Sequence, residues 1–332
     1  MQPADFAQAA RALAQGAGGV QVPGLAQPLG PPDAALARLA GLCDRLFLVR
    51  PPGAAGAVLC AASHSPAPGQ RAHAAGLGPD GRSAWTRALG EVAEARALVR
   101  AADDSRLQAG QLPLLDADLA PAGTIPADLV LRAAGDRATV HGVAAGADLA
   151  QAARAAWSEA VERHAVALWL AGAAPARPLD PPASLRRFEA ALRGGAVAAP
   201  LRFLRLPGAV PGLAVVVALS DAGPGPVAGY GCAPDPVAAA CKAATEVVQG
   251  EFALYLETQA LPAGAAPVAP DGFAARAARL AARPDLTRPV AGALEPGPTV
   301  RPCFAVLTRP QDGVPVLRVV APGLMHPPAG MV

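Results

Sequence analysis

Three stretches of the chain place small, apolar and acidic residues on a helical period, and each opens on glycines. The first runs from Gly76 and Gly78 to Asp80, then through Ala84 and Ala88 to Glu91 and Glu94. The second runs from Gly142 and Gly146 to Asp148, Ala152, Ala156, Glu159 and Glu162. The third runs from Gly229 and Gly231 to Asp235, Ala239, Ala243, Glu246 and Gln249. In all three, Asp leads the first Glu by eleven residues and two Ala lead it by seven and three; a carboxylate or amide follows three residues later. A fixed internal spacing of this kind marks a repeated structural unit. It predicts three helices with Asp as N-cap, the Ala and acidic positions along one face, and the glycine lead-in as a loop. Pro236, directly after Asp235, suits a first helical turn, where its missing N–H costs nothing.

The remaining sequence predicts further helices over 4–17, Asp33–Leu42 and Phe273–Ala282, with a Gly/Pro-rich stretch to about Pro32. Strands are expected at Leu46–Arg50 and Ala57–Ala61, parted by the turn-forming Pro51 and Gly53. Short strands are also expected at Leu129–Arg132 and Ala138–His141. The unbroken apolar run Leu213–Leu219 reads as a strand buried on both faces. Two more apolar strands are expected at Phe304–Thr308 and Val314–Val320, after a Pro/Ala linker over Ala263–Pro270. Strands alternating with helices argue for an α/β class, with α+β as the alternative: three Gly-loop–helix units packed on β-sheet. The expected organisation is an N-terminal helical and Pro/Gly-rich segment over 1–40 and one domain over 41–332.

Composition narrows the function. The formal net charge is +2 with 16% charged residues, so nothing in the charge balance points to nucleic acid. No run approaches the ~20 apolar residues needed to span a bilayer, and the start lacks a signal-peptide core. A cytoplasmic protein is therefore expected. The five cysteines, Cys43, Cys60, Cys232, Cys241 and Cys303, are odd in number and widely spaced, which indicates neither a disulfide framework nor a structural zinc site. Lys242 is the single lysine, and the wealth of Ala, Pro and Arg reads as a coding bias with little functional weight.

Clustered carboxylates repel one another and are costly to bury, so a converging set holds a cation or shares a proton. If the three helices converge, Glu91, Glu94, Glu159, Glu162 and Glu246, with the amide of Gln249, form such a set. Hard oxygen ligands suit Mg²⁺, which commonly bridges a few carboxylates to substrate phosphates. Arg163, beside Glu162, and Lys242, one turn before Glu246, would face phosphate oxygens. The competing reading is structural: any one Glu-x-x-Glu is usually a solvated helix face.

At this point the residues resemble a known family. Trp157-Ser-Glu-Ala-Val-Glu-Arg-His-Ala-Val-Ala-Leu-Trp169, preceded by Gly142-Val-Ala-Ala-Gly146, resembles the central motif of YcaO proteins. Gly229-Tyr-Gly231 through Ala243-Ala-Thr-Glu246-Val-Val-Gln249 is similar to that family's third motif, and Ala88-Leu-Gly-Glu91-Val-Ala-Glu94 to its first. Leu307-Thr-Arg-Pro, Gly313-Val-Pro-Val and Ala321-Pro-Gly-Leu324 fit its terminal strands. The resemblance covers roughly residues 70–324 and implies a YcaO-like fold binding ATP and Mg²⁺ through these Glu and Gln positions. It further implies ATP-dependent activation of a backbone amide oxygen in a ribosomally made precursor peptide. Attack by a side chain then gives an azoline, by sulfide a thioamide, and by an amine an amidine. Phosphorylation turns a poor amide-oxygen leaving group into a good one, with metal and basic groups carrying the charge.

The departures matter too. Where the first motif usually has Ser four residues before its first Glu, this chain has Arg87; where Arg usually follows the second Glu it has Ala95, with Arg96 one place late. Two residues after the third motif's Gln, Glu251 replaces the usual Arg. The tail from His326 to Val332 lacks the alternating prolines of azoline-forming members. Three functions stay open: an ATP-using peptide-modifying enzyme, a catalytically weakened scaffold or partner subunit, and an unrelated Ala-rich protein. A partner protein that presents substrate or delivers sulfur is expected, and a homodimer is left open. The catalytic residue is unassigned. His164 and Cys241 are read as packed, Trp157 and Trp169 as core, and Asp80, Asp148 and Asp235 as caps; His64, His73 and His141 receive no role.

Overall fold

The computed structural model describes residues 32–99, 110–132, 141–173, 175–195, 199–208, 210–221, 225–260, 272–284, 286 and 297–324. The expected helix over 4–17, most of the Ala138–His141 strand, the 263–270 linker and the tail from His326 lie outside them. The chain divides into two compact units, one built from 1–49, 59–157 and 301–322, the other from 50–58, 158–300 and 323–332.

In the first unit, helix α1 (Pro32–Gly41) leads into a sheet of β1 (Cys43–Val49), β2 (Val58–His64) and β3 (Ala72–Gly78), in that spatial order, with β1 antiparallel to β2. Helix α2 (Gly81–Leu98) follows. A second sheet has the order β5-β4-β11-β12-β6, made of β4 (Gln111–Leu115), β5 (Pro121–Pro126), β6 (Val143–Ala145), β11 (Cys303–Val306) and β12 (Val316–Val320). Helix α3 (Ala127–Val130) lies between β5 and β6. Here the sequence misleads: Leu129–Arg132 is not a strand. Pro126 fixes the helix entry, and Asp128 places negative charge in the first turn, where the helix dipole favours it. Leu115, Phe304, Val306 and Leu317 of this sheet bury Ala152 and Ala153 of helix α4 (Leu149–Leu170). The first half of α4 belongs to this unit and the second half to the other.

The second unit holds a four-stranded sheet in the order β10-β9-β8-β7, comprising β7 (Arg177–Pro178), β8 (Arg202–Leu206), β9 (Ala214–Ser220) and β10 (Val227–Ala233). As its apolar run predicts, β9 is buried at every position and lies between two partners. Helices α5 (Ala183–Arg193), α6 (Pro236–Ala260) and α7 (Phe273–Ala281) complete the unit. The fold mixes helix and sheet as expected, and the two larger sheets pair their strands antiparallel throughout, as do β1 and β2, which places it on the α+β side.

The three Asp residues are caps. Asp80 accepts from Ser83 N at 2.7 Å, Asp148 from Gln151 N at 2.7 Å and Asp235 from Ala238 N at 3.1 Å. The glycine lead-ins, expected as loops, are instead largely strand: Gly76 and Gly78 lie in β3, Gly229 and Gly231 in β10. Their reason is close packing. A Cβ on Gly231 would sit 2.1 Å from Ala239 O, one on Gly229 2.3 Å from Ala243 O, and one on Gly76 2.5 Å from Ala84 O. Strand glycines thus meet the same Ala residues that define the helical spacing, and the repeat is a strand–helix contact.

Candidate functional site

Strand β10 is the edge of its sheet. Along an antiparallel edge strand, every second residue turns its backbone N–H and C=O away from the neighbouring strand. Tyr230 and Cys232 are such residues here. The Tyr230 amide donates to Glu246 Oε2 at 2.6 Å, and the Cys232 carbonyl accepts from Lys242 Nζ at 2.9 Å. Both partners come from α6, one turn apart, so the edge is lined by a carboxylate and an ammonium from a single helix face.

The second half of α4 supplies the other charges. Arg163 Nε lies 3.7 Å from Glu159 Oε1, and Nη1 lies 3.6 Å from Glu162 Oε1. These are ion-pair distances too long for hydrogen bonds. Arg163 Nε is buried and has no hydrogen-bond partner. Glu162 is 8% exposed. Burial pushes its carboxyl up to about 8, with Glu246 and Glu159 adding to the effect and Arg163 and Lys242 opposing it. For Arg163, burial works against the charge, but Glu162, Glu246 and Glu159 outweigh it and raise the pKa. Burial also raises the Tyr230 phenol, which feels Arg163 and Glu246 as well.

Glu159, Glu162, Arg163, Lys242 and Glu246 therefore form one charged group in the second unit, as their mutual fields require. Gln249 is half-buried on the same helix, one turn beyond Glu246. Glu91 and Glu94 belong to the first unit. Glu94 Oε1 accepts from Ala145 N at 2.8 Å, the same carboxylate-to-strand-amide bond that Glu246 makes, and Glu91 is exposed one turn earlier on α2. Among the described residues no group of three or more His, Cys, Asp or Glu is placed to hold a metal ion unaided. Two things fit a divalent cation with a polyphosphate: a buried carboxylate, Glu162, raised first by its burial and then by the carboxylates near it, and a buried guanidinium nitrogen of Arg163 without a hydrogen-bond partner. Sequence reasoning assigned no role to Tyr230, whose signal was its place between two glycines that bring α6 against the strand.

Arg87 and Glu251, which depart from the expected motifs, and Arg96, one place late, are engaged in the structure's own contacts. Arg87 Nη1 donates to Leu77 O at 2.8 Å, and Arg96 forms two 3.0 Å bonds with Asp312. Glu251 is gripped by Arg193 and accepts from Ser220 Oγ. His164, Trp169 and Cys232 are buried. Burial raises the thiols of Cys43, Cys60, Cys232 and Cys241, which is the opposite of nucleophile activation. Among the described residues no helix is long and apolar enough to cross a membrane.

Residues 120–325 match the family model described as YcaO cyclodehydratase, ATP- and Mg²⁺-binding. Solved structures share the fold. YcaO from Methanopyrus kandleri, bound with AMPPCP and Mg²⁺, aligns with a TM-score of 0.66 at 19% identity, covering 88% of this chain and 91% of that one. A heterocyclase in complex with substrate and cofactor aligns with a TM-score of 0.66 at 16% identity, covering 89% of this chain and 53% of that one. A chain of the Escherichia coli microcin synthetase McbBCD complex aligns with a TM-score of 0.55 at 12% identity, covering 91% and 90%. No curated protein matches the chain in sequence. The chain belongs to the YcaO family, whose members bind ATP and Mg²⁺.

Proposed function

We propose that this protein uses ATP and Mg²⁺ to activate backbone amides of a ribosomally made peptide, acting in the cytoplasm with a partner protein that presents the substrate or delivers sulfur. The observation carrying this reading is the group formed by Glu159, Glu162, Arg163, Lys242 and Glu246 along the open edge of β10, in a chain of this family. In it Glu159, Glu162 and Glu246 would hold the divalent ion; Glu91, Glu94 and Gln249 are the further positions that the sequence motifs assign to the set. Bound Mg·ATP supplies the phosphoryl group that makes an amide oxygen a leaving group. Arg163, whose buried Nε has no hydrogen-bond partner, and Lys242 would supply positive charge for its phosphate oxygens. The Glu246 bond to Tyr230 N fixes one carboxylate oxygen and leaves the other for the cation.

The product follows from the incoming nucleophile. The thiols whose burial raises them are poor candidates, which favours a nucleophile carried by the peptide itself or delivered as sulfide or amine. Calorimetric titration with Mg·ATP tests the reading. Binding to the wild type that disappears in Glu159→Gln and Glu246→Gln variants supports it.

A second reading, a scaffold without turnover, is favoured by one observation. Arg87, Arg96 and Glu251, at or beside the positions that depart from the family pattern, are each spent on structural bonds. Wild-type protein that fails to bind Mg·ATP, while folding cooperatively, would select it.

A further inference from the structure

Strand β1 is the outer strand of its three-stranded sheet, and among the described residues β2 is its hydrogen-bonded neighbour. Its other edge therefore offers a row of backbone N–H and C=O groups to whatever lies alongside. Natural edge strands usually block such pairing with an inward charge, a proline or a bulge. In β1 the bulge sits at one end, between Cys43 and Arg45, and the prolines lie beyond the other, at Pro51 and Pro52. Between them Arg45–Val49 runs in regular register with β2. Its last four residues, Leu46, Phe47, Leu48 and Val49, are uncharged and apolar.

The burial of these four residues does not match their chemistry. None of them is fully buried; Phe47 is 55% exposed, and Leu42, just before the strand, is 44% exposed. Leu48 points to one face of the sheet, where its Cδ1 lies 3.1 Å from the place a Cβ on Gly81 would take. Phe47 points to the other face, beside Ala61 of β2. A flat apolar edge ending in an exposed aromatic ring is a pairing surface.

The charges that flank the run select its partner. Two identical strands meeting antiparallel about a two-fold axis set one residue opposite its own copy, so each register is defined by its central residue. Centring on Arg45 sets two guanidinium groups against each other. Centring on Leu46 or Leu48 brings no opposite charges into line. Centring on Phe47 sets Asp44 of each strand opposite Arg50 of the other, the residue that follows the strand. Both side chains are exposed, and Arg50 is steadied by one arm on Ala55 O at 2.9 Å. Symmetry makes that ion pair twice, at the two ends of the contact. The same register sets Leu46 opposite Leu48 and places Arg45 diagonal to the opposing Phe47 ring, within reach of its face. We propose that β1 is the surface on which a second copy of this chain docks, β1 against β1 about a two-fold axis at Phe47, joining two three-stranded sheets into one of six strands.

Sedimentation velocity over a dilution series of the full chain tests the proposal. The wild type is expected to sediment as a reversible dimer. Phe47→Glu sets two carboxylates against each other at the centre and should raise the dissociation constant at least tenfold, with the circular dichroism spectrum unchanged. Asp44→Arg and Arg50→Asp each bring like charges together at both ends and should weaken the dimer severalfold. The two changes combined restore opposite charges and should return the constant close to that of the wild type. Arg50→Asp leaves the strand itself intact, so the charge series serves if Phe47→Glu misfolds. A wild type that stays monomeric throughout, a dimer indifferent to Phe47→Glu, or a double exchange no tighter than the single changes would overturn the proposal. A monomer that instead binds a labelled extended peptide, and loses it in Phe47→Glu, would assign the edge to a peptide strand and overturn it too.

Discussion

Arg193, the last residue of α5, closes a two-pronged ion pair on Glu251 of α6, with one arm at 2.8 Å. Ser220 of β9 donates to the same carboxylate, so one residue ties two helices to the sheet. The resemblance to known motifs leads one to expect Arg at position 251; the structure instead supplies a guanidinium from the other side. Both side chains are largely shielded, and the pair raises the pKa of Arg193 through its hydrogen bond to Glu251. Removing one partner strands the other, which for buried pairs costs about 3–5 kcal/mol. Arg193→Ala and Glu251→Ala should each lower the unfolding free energy read from urea titration by that order, and the exchange Arg193→Glu/Glu251→Arg should recover part of it. Loss in the exchanged variant equal to the sum of the singles would show that the pair itself contributes nothing.

The strand glycines make a second prediction. Gly229→Ala drives a Cβ to 2.3 Å from Ala243 O and 2.8 Å from Glu246 Cβ, so α6 and its carboxylate must move. Overpacking against backbone costs about 3 kcal/mol, and Mg·ATP affinity should fall at least tenfold in the protein that still folds. Gly90, inside α2, has only Ala145 Cβ at 3.9 Å. Gly90→Ala should therefore stabilise by roughly 0.5–1 kcal/mol, the usual gain in a helix interior. Denaturant titration of both variants separates close approach from helix propensity.

The contrast shows what the sequence could carry. Fixed offsets of Asp, Ala and Glu made the three helices legible, because a helix repeats its neighbours every three or four residues. The same period placed Glu159 with Glu162 and Glu246 with Gln249. What it could not carry was the role of the glycines, since a residue chosen for the absence of a side chain looks alike in a loop and in a packed strand. Leu129–Arg132 failed for a related reason: four residues hold too few positions to separate the two periods. The bond from Glu246 to Tyr230, and the Arg193 bond that answers Glu251, depend on sheet order. No local spacing encodes that.

His64 gives a pH signature in the first unit. It is fully buried, with neither ring nitrogen hydrogen-bonded. Burial lowers its pKa to about 4; Arg96 and His73 push the same way, while Asp44 and Asp312 oppose. A folded-state pKa below the unfolded value of 6.5 means the unfolded chain takes up a proton first. The stability His64 contributes is therefore complete above pH 6.5 and is lost as pH falls toward 4. His64→Leu should flatten that part of the stability curve, measured by urea unfolding at a series of pH values. An unchanged slope between pH 6.5 and 4 would assign the acid limb to the carboxylates instead.

Glu162 has the opposite sign. Its folded-state carboxyl is raised to about 8 from 4.5 by burial and by the neighbouring Glu246 and Glu159. The stability of the metal-free protein should therefore decline as pH rises from about 4.5 to 8, because the unfolded carboxyl ionises freely while the folded one resists. A divalent cation favours the ionised form, so Mg·ATP binding at pH 7 should release close to one proton. Titrations in buffers of different ionisation enthalpy read that proton directly. Glu162→Gln cannot release it: the variant should bind Mg·ATP at least tenfold more weakly at pH 8, with affinity that varies little between pH 6 and 8. Proton release that persists undiminished in Glu162→Gln would place the titrating group elsewhere and leave Glu162 a buried structural residue.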